Sequence, residues 1–403
     1  MSTDQATDQA APAGGPEDTH ADDSAFRRTW GLSWHGVRTV AVLDLRQRVR
    51  STRWIVALAV WFVVIGGITW LTWVGANSAF ATASSSSTSG GGVVDVVAQP
   101  DVLVGPTIFG FVVFFVLFLG LLVSPTLSAT SINGDRAAGT LATLQVTLLT
   151  PAEIAVGKLA AAWLAALAFL ATAVPFLIVA LTAGGTSVLA MISCLLVLAA
   201  LLAIVCAVGL GFSALTARTS GSAVLTYLTV AGLSALTPIL FGLTYPTITT
   251  DDQVRVWATP ANYQWEGDKP PVCEWQKQTL SQAHTERTWW LLAMNPFVIV
   301  ADAAPDSGRP ESTGAIDPLG GIRTLVRDAR TGPAAEQDWC TESVAQLGGP
   351  KTASPVATPE PNRSAVWPWG LAADVLLGAG GLIVAVRRLS IPQRTLPRGT
   401  RVA

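Results

Sequence analysis

The sequence predicts an all-α integral membrane protein: six transmembrane helices, a short cytoplasmic helix after the second, and a large external loop between the fifth and sixth. Three observations carry this prediction. Half of the 403 residues are hydrophobic and 13% are charged, with a mean hydropathy of +0.47, more apolar surface than one soluble core of this length can hide. That surface is gathered into six runs long enough for a hydrocarbon layer of about 30 Å, which takes roughly 20 helical residues. The Lys and Arg residues of the short connections lie on one side only, after every second run.

The runs cover 54–76, 102–123, 159–183, 188–215, 221–243 and 367–386. Arg38, Arg46, Arg48, Arg50 and Arg53 precede the first, Arg136 and Lys158 fall between the second and third, and Arg218 between the fourth and fifth. Arg387, Arg388, Arg394, Arg398 and Arg401 follow the last, whereas 77–101 and 184–187 contain neither Lys nor Arg. Short basic loops stay in the cytoplasm, so both termini are expected there, with a multi-pass chain in the cell membrane. Segment 245–366 then falls outside, where long loops are exempt from the rule. The net charge of −2 is segregated and says little about partners; no nucleic acid is expected among them.

Residues 1–33 read as a disordered cytoplasmic tail, acidic and without the apolar stretch of a cleavable signal; 387–403 form a basic tail on the same side. Between 34 and 53, Trp34, Val37, Ala41, Leu45 and Val49 recur at helical spacing among arginines. That pattern suits an amphipathic helix lying on anionic membrane lipid before the chain turns into the first of the five spans in 54–244.

The polar stretch 124–158 is an elbow between two apolar runs. Pro125 ends the second run, Asn133 and Gly134 make a turn, and Leu141, Leu144 and Leu148 mark one face of a short helix. Thr150-Pro151-Ala152-Glu153 has the spacing of a capping box with Pro at the first helical position, so a new helix starts at Pro151. Lys158 is placed to snorkel its ammonium to the headgroups. These residues fit an ordinary interfacial loop or a stiff projection that receives force from a cytoplasmic partner.

A family resemblance rests on the same stretch. Asp135-Arg136, Gly139-Thr140-Leu141, Leu148, Thr150-Pro151, Glu153 and Gly157-Lys158 together resemble a pattern carried by ABC exporter permeases of the second type, and the six-span plan agrees with it. Asn295-Pro296-Phe297 is similar to the Asn-Pro that such permeases carry after their fifth span. Where the family usually has a second acidic residue ahead of the acidic-Arg pair, this chain has Asn133-Gly134. The resemblance implies that the elbow is a coupling helix seated in a groove of a nucleotide-binding ATPase subunit. Asp135 and Arg136 would be its polar contacts, and Leu141, Leu144 and Leu148 would pack. It also implies a second permease half, identical or related.

This chain has no Gly-x-x-x-x-Gly-Lys-Ser/Thr loop, for Gly157-Lys158 is followed by Leu159 and lacks the upstream glycine. ATP and Mg are therefore expected on the partner, with no cofactor or metal held here. His20, His35 and His284 lie in different regions, so no catalytic constellation can be assembled.

Segment 245–366 holds Cys273 and Cys340 as its cysteines. In an oxidising compartment they are expected to pair, stabilising by about 4 kcal/mol in the chain-entropy account. Its apolar stretch 288–304 is broken by Asn295-Pro296 and reads as re-entrant or interfacial, because a seventh crossing would put the basic C-terminus outside. The Pro-rich remainder, 305–362, is expected to be partly ordered.

Inside the runs, Cys194 and Cys206 read as small buried hydrophobes. Ala199, Ala203, Ala207 and Gly211 form a stripe for close helix approach, and Pro175 and Pro238 mark kinks. Asp374 is an intramembrane acid, read as structural or snorkelling to the outer interface. The aliphatic spans favour an amphipathic, lipid-like or peptide cargo. From a different class, a non-transporting scaffold or sensor with an external ligand-binding segment also fits the composition.

Overall fold

The computed structural model describes residues 29–86, 100–141, 149–260, 273–305, 317–341, 354–356 and 364–390. The tail before residue 29, Leu144, Leu148 and the residues after 390 lie outside that set. Among the described residues, six helical stretches are long and apolar enough to cross a membrane: Thr52–Ser78, Val104–Ala137, Pro151–Thr182, Val188–Leu215, Thr219–Ile248 and Trp367–Leu389. The predicted all-α membrane architecture is therefore the observed one.

Helix α1 (Trp34–Val49) leads into α2 (Thr52–Ser86), α3 (Pro100–Ser128), the short α4 (Ser131–Ala137), α5 (Pro151–Thr182) and α6 (Val188–Leu215). The fifth span is divided into α7 (Thr219–Ala231), a π turn (Gly232–Leu236) and α8 (Thr237–Ile248). Two helices too short to span, α9 (Trp289–Ala293) and α10 (Pro296–Ala303), precede α11 (Pro318–Thr331), and α12 (Trp367–Leu389) is the sixth span.

The apolar core runs between α2, α3, α5 and α6, where Ile65, Ile108, Val112, Ala173, Leu177 and Leu198 are almost wholly buried. Small residues set the approach of α12 to α6: a Cβ on Gly211 would lie 2.7 Å from the Gly381 backbone. The C-terminal half of the predicted small-residue stripe, Ala207 and Gly211, thus meets Gly381, as close packing in lipid requires.

Two boundaries differ from expectation. Pro125 does not end the second span; α3 continues to Ser128. The missing proline N–H is tolerated because neighbours hold the last turns: Tyr227 Oη donates to the Leu122 carbonyl, and Arg48 Nη2 to that of Leu127, each at 2.8 Å. Asn133 and Gly134 form no turn but lie inside α4, because buried partners for Asn133 outweigh its turn preference.

The kink expected at Pro238 is the π turn just ahead of it. Pro238 cannot donate to the Ser234 carbonyl, and Asn295 Nδ2 takes that acceptor at 2.8 Å while also donating to Thr237 Oγ1 at 3.2 Å. The Asn295 oxygen meanwhile caps α10 through Phe297 N at 2.9 Å, with Pro296 where no N–H is needed. From α10, the buried Asp302 reaches the start of the sixth span, accepting from Val366 N at 2.5 Å and Trp367 N at 2.8 Å. Its other oxygen accepts from Arg327 Nε of α11 at 2.6 Å.

Segment 245–366 contains structure that hydropathy did not show. Strands β1 (Thr249–Ala258), β2 (Glu274–Ala283) and β3 (Glu336–Asp338) form a sheet in the order β2-β1-β3. The β1–β2 pair is antiparallel, with Val254 opposite Gln278, and β3 is parallel to β1. Cys273 and Cys340 are bonded, tying the start of β2 to the end of β3. His284 closes the base of the sheet, with its Nε2 2.7 Å from Asp252 and its Nδ1 2.7 Å from Glu286.

Asn295→Ala should lower stability by about 1–3 kcal/mol, the cost of a buried acceptor without its donor, read as a lower thermal midpoint in detergent. The His284 bridge should respond to pH. The bonds to Glu286 first and Asp252 second raise its pKa above the usual value. Its contribution is then complete below the ordinary histidine value near 6.5 and is lost as pH rises through the raised one. Hydrogen exchange in 249–258 and 274–284, corrected for intrinsic rate, should therefore accelerate as pH rises above the ordinary histidine value near 6.5, and His284→Gln should remove that step.

Candidate functional site

The elbow is built from the start of α5. Thr150 caps that helix, accepting from Glu153 N at 3.2 Å, and Glu153 Oε2 accepts from Thr150 N at 2.8 Å. This is the capping box that the spacing predicts. Both side chains have a second use, on the segment leading into α1. Glu153 Oε1 accepts from Ser33 N at 2.8 Å, and Thr150 Oγ1 donates to the Gly31 carbonyl at 2.6 Å.

Two glycines let α1 lie against α5. A Cβ on Gly36 would sit 2.7 Å from the Glu153 carboxyl carbon, and one on Gly157 would sit 2.6 Å from Val40 Cβ. Gly157 is thus a packing position, and α1 is a layer of the bundle: Gly36, Val37, Val40 and Ala41 are buried while Trp34 and Val49 are exposed. The predicted apolar stripe is rotated toward α5, so α1 spends its buried face on protein.

The same approach encloses Lys158. Its side chain is 1% exposed, and Nζ lies 2.5 Å from Asp135 Oδ2 of α4 and 3.3 Å from Asp44 Oδ2 of α1. Lys158 therefore does not snorkel to headgroups. Two carboxylates stand closer than the lipid surface and offset the desolvation of the ammonium. Arg48 completes the group: burial holds its guanidinium below the usual value, and the Asp44 and then Asp135 carboxylates oppose that shift.

A second polar hub joins α4 to the connection between the fourth and fifth spans. Asn133, 1% exposed, donates through Nδ2 to Ser222 Oγ at 2.8 Å and to the Arg218 carbonyl at 3.3 Å. Its Oδ1 accepts from Ser213 Oγ at 3.1 Å. An aspartate could not donate to the Arg218 carbonyl, which is a physical reason for an amide at this position.

Beyond α4 the chain reverses at Gly139, whose φ of +72° is the left-handed cap conformation that favours glycine. Arg136 and Thr140 are exposed, whereas Leu141 is buried with Ile132, Ile154, Ala155 and Leu210. Of the predicted contact residues, then, Arg136 and Thr140 face outward and Asp135 and Leu141 face the bundle. Asp374 is 2% exposed and does not snorkel either; it lies on the α12 face that carries Gly370 and Gly378 into the bundle.

Sequence reasoning missed Ser33, Gly36, Asp44, Arg48, Ser213 and Ser222. Only Asp44 carried a signal, as the sole acid among the arginines of α1.

The family model described as ABC-2 family transporter protein matches residues 38–285, more than half of the chain. The chain belongs to that family. The match begins within α1, takes in Asp44, the elbow and Lys158, and ends just after β2. No curated protein matches the chain. With its six candidate spans, the protein is a multi-pass membrane transport subunit.

In this permease, Lys158→Met should leave Asp135 and Asp44 as facing carboxylates without their shared cation. Removing one partner of a buried pair costs about 3–5 kcal/mol. The thermal midpoint in detergent should fall sharply, and the triple variant Asp44→Asn, Lys158→Met, Asp135→Asn should recover much of the loss. An unchanged midpoint in the single variant would show that the group contributes no stability.

Proposed function

We propose that this permease is one half of an ATP-driven exporter in the cell membrane, both termini cytoplasmic, working by alternating access powered by separate ATPase subunits. One observation carries the reading: the elbow is fastened in two directions at once. Lys158 ties Asp135 of α4 to α1 and α5, and Asn133 ties the same short helix to Ser213, Arg218 and Ser222 at the junction of α6 and α7. A force applied to α4 is therefore delivered to three spans together, as a rigid-body transition requires.

In this reading the outward-facing Arg136 and Thr140 meet the ATPase, together with Leu144 and Leu148. The ATPase holds ATP and Mg, supplying the phosphate loop that this chain lacks. A second permease half, identical or related, completes the pathway, and the aliphatic spans suit an amphipathic cargo.

The test is purification in mild detergent from the native host, with single cysteines at Arg136 and Thr140 for cross-linking. An ATPase carrying a phosphate loop should co-purify and cross-link at both positions. Asn133→Asp should keep the complex assembled and ATP hydrolysis intact but lower transport in proteoliposomes by about tenfold or more, the effect of at least 1.4 kcal/mol in coupling. If no ATPase co-purifies and no cross-link reaches one, the exporter reading fails.

A further inference from the structure

A cleft of about 300 Å³ lies between the α1–α2 junction, the last turns of α3 and the middle of α5, within the range of small-ligand sites. Arg48, Ser51 and Arg53 line its polar end, and Ala57, Val123 and Phe169 its apolar wall. Trp54 stands between the two, its ring 5.0 Å from that of Phe169 in an edge-on contact. Arg53, Ala57 and Thr126 are exposed, so the cleft opens away from the helix bundle.

The polar end has donors to spare. Arg48 donates through Nη2 to the Leu127 carbonyl, one of the five donors a guanidinium has. Arg53 has no hydrogen bond or ion pair among the described residues. Two cations at one end, an indole at the junction and an aliphatic wall beyond it match the order of an anionic headgroup, an interface and an acyl chain.

From this arrangement we infer that the cleft binds an anionic glycerophospholipid from the adjacent leaflet, its phosphate on Arg53 and Arg48 and one acyl chain along Ala57, Val123 and Phe169. Behind Val123 and Phe169 a neighbouring gap holds about 10 Å³, near the size of one water. The site also touches the elbow. Arg48 holds the last turn of α3 next to α4, and Asp44, one turn earlier on α1, holds Lys158. A headgroup on Arg48 therefore braces α1 against α3 at the point where α4 begins.

The experiment uses full-length protein in nanodiscs of phosphatidylcholine alone or mixed with phosphatidylglycerol, reading the retained lipid by native mass spectrometry and the thermal midpoint in parallel. Two arginines at about fivefold each should give a roughly twenty-five-fold preference for phosphatidylglycerol, with a higher midpoint in the mixed discs. Arg53→Gln should cut the preference to about fivefold, and Ala57→Phe, which fills the cleft from its exposed side, should abolish retention of both lipids. Neither variant should change the midpoint in phosphatidylcholine alone, which separates loss of the site from loss of the fold. Equal retention of the two lipids, a preference untouched by both variants, or a midpoint shift reproduced by inorganic phosphate would overturn the inference. None of these outcomes depends on an ATPase partner, so the exporter reading stands or falls separately.

Discussion

A lysine ammonium that is 1% exposed beside two carboxylates is the constraint on which this end of the permease depends. A charge without a partner at that depth costs several kcal/mol, and the cost is offset only when geometry and hydrogen bonding are good. Asp44 and Asp135 come from different elements, so Lys158 is stable there only if α1 and α4 are both docked on α5. The docking has its own requirement, which Gly36 and Gly157 meet by leaving room for Glu153 and Val40. Removing either clearance pushes α1 outward and takes Asp44 from the ammonium. Steric and electrostatic terms thus specify one arrangement together, where either alone would allow several.

The opposite end of the bundle uses the same logic with other groups. Asp302 satisfies two N–H groups at the start of α12 and pairs with Arg327, while Asn295 caps α10 and takes the carbonyl that Pro238 leaves vacant. Between the two ends, packing is mostly aliphatic. In lipid, apolar packing lacks the hydrophobic drive it has in water, and close small-residue contacts and hydrogen bonds do more of the work. The exposed Ile55, Val60, Leu71, Leu228 and Leu243 fit this picture, because lipid solvates them and no partner is required. Specific polar contacts at the ends, and glycine clearances such as Gly211 against Gly381, set which helix faces which.

What the sequence disclosed divides along the same line. The six spans, the start of α5 at Pro151 and the Thr150–Glu153 box depend on residues within a few positions of one another, and periodicity and capping rules read them directly. Lys158 was misread because its partners lie 23 and 114 residues away, a separation that local patterns do not see. Asn133-Gly134 carries the strongest local turn signal in the elbow and still lies in a helix, because Ser213 and Ser222 supply buried partners from α6 and α7. The strands of segment 245–366 were missed for another reason: β2, Glu274–Ala283, is polar on both faces and shows no apolar alternation. Its pairing with β1 and the Cys273–Cys340 bond hold it in place.

The distribution of rigidity bears on how motion crosses this molecule. The elbow is braced by short charged contacts, so α4 has no independent freedom while Lys158 and Asn133 keep their partners. The fifth span is different. Its helical ladder changes register at Gly232–Leu236, and Pro238 removes a bond just beyond; a π segment of this kind is a place where a helix bends at low cost. Asn295, from the segment that leads into the sixth span, holds that point by one side-chain amide. In the proposed reading, a displacement entering at α4 passes with little loss into the ends of α5, α6 and α7 that adjoin the elbow. It meets its first compliant point midway along the fifth span, where the Asn295 amide, donating to the Ser234 carbonyl and to Thr237 Oγ1, sets the resistance. Stiffness at the elbow and compliance in the span are complementary. A bundle rigid throughout would resist the movement, and one soft at α4 would lose it before any span responded.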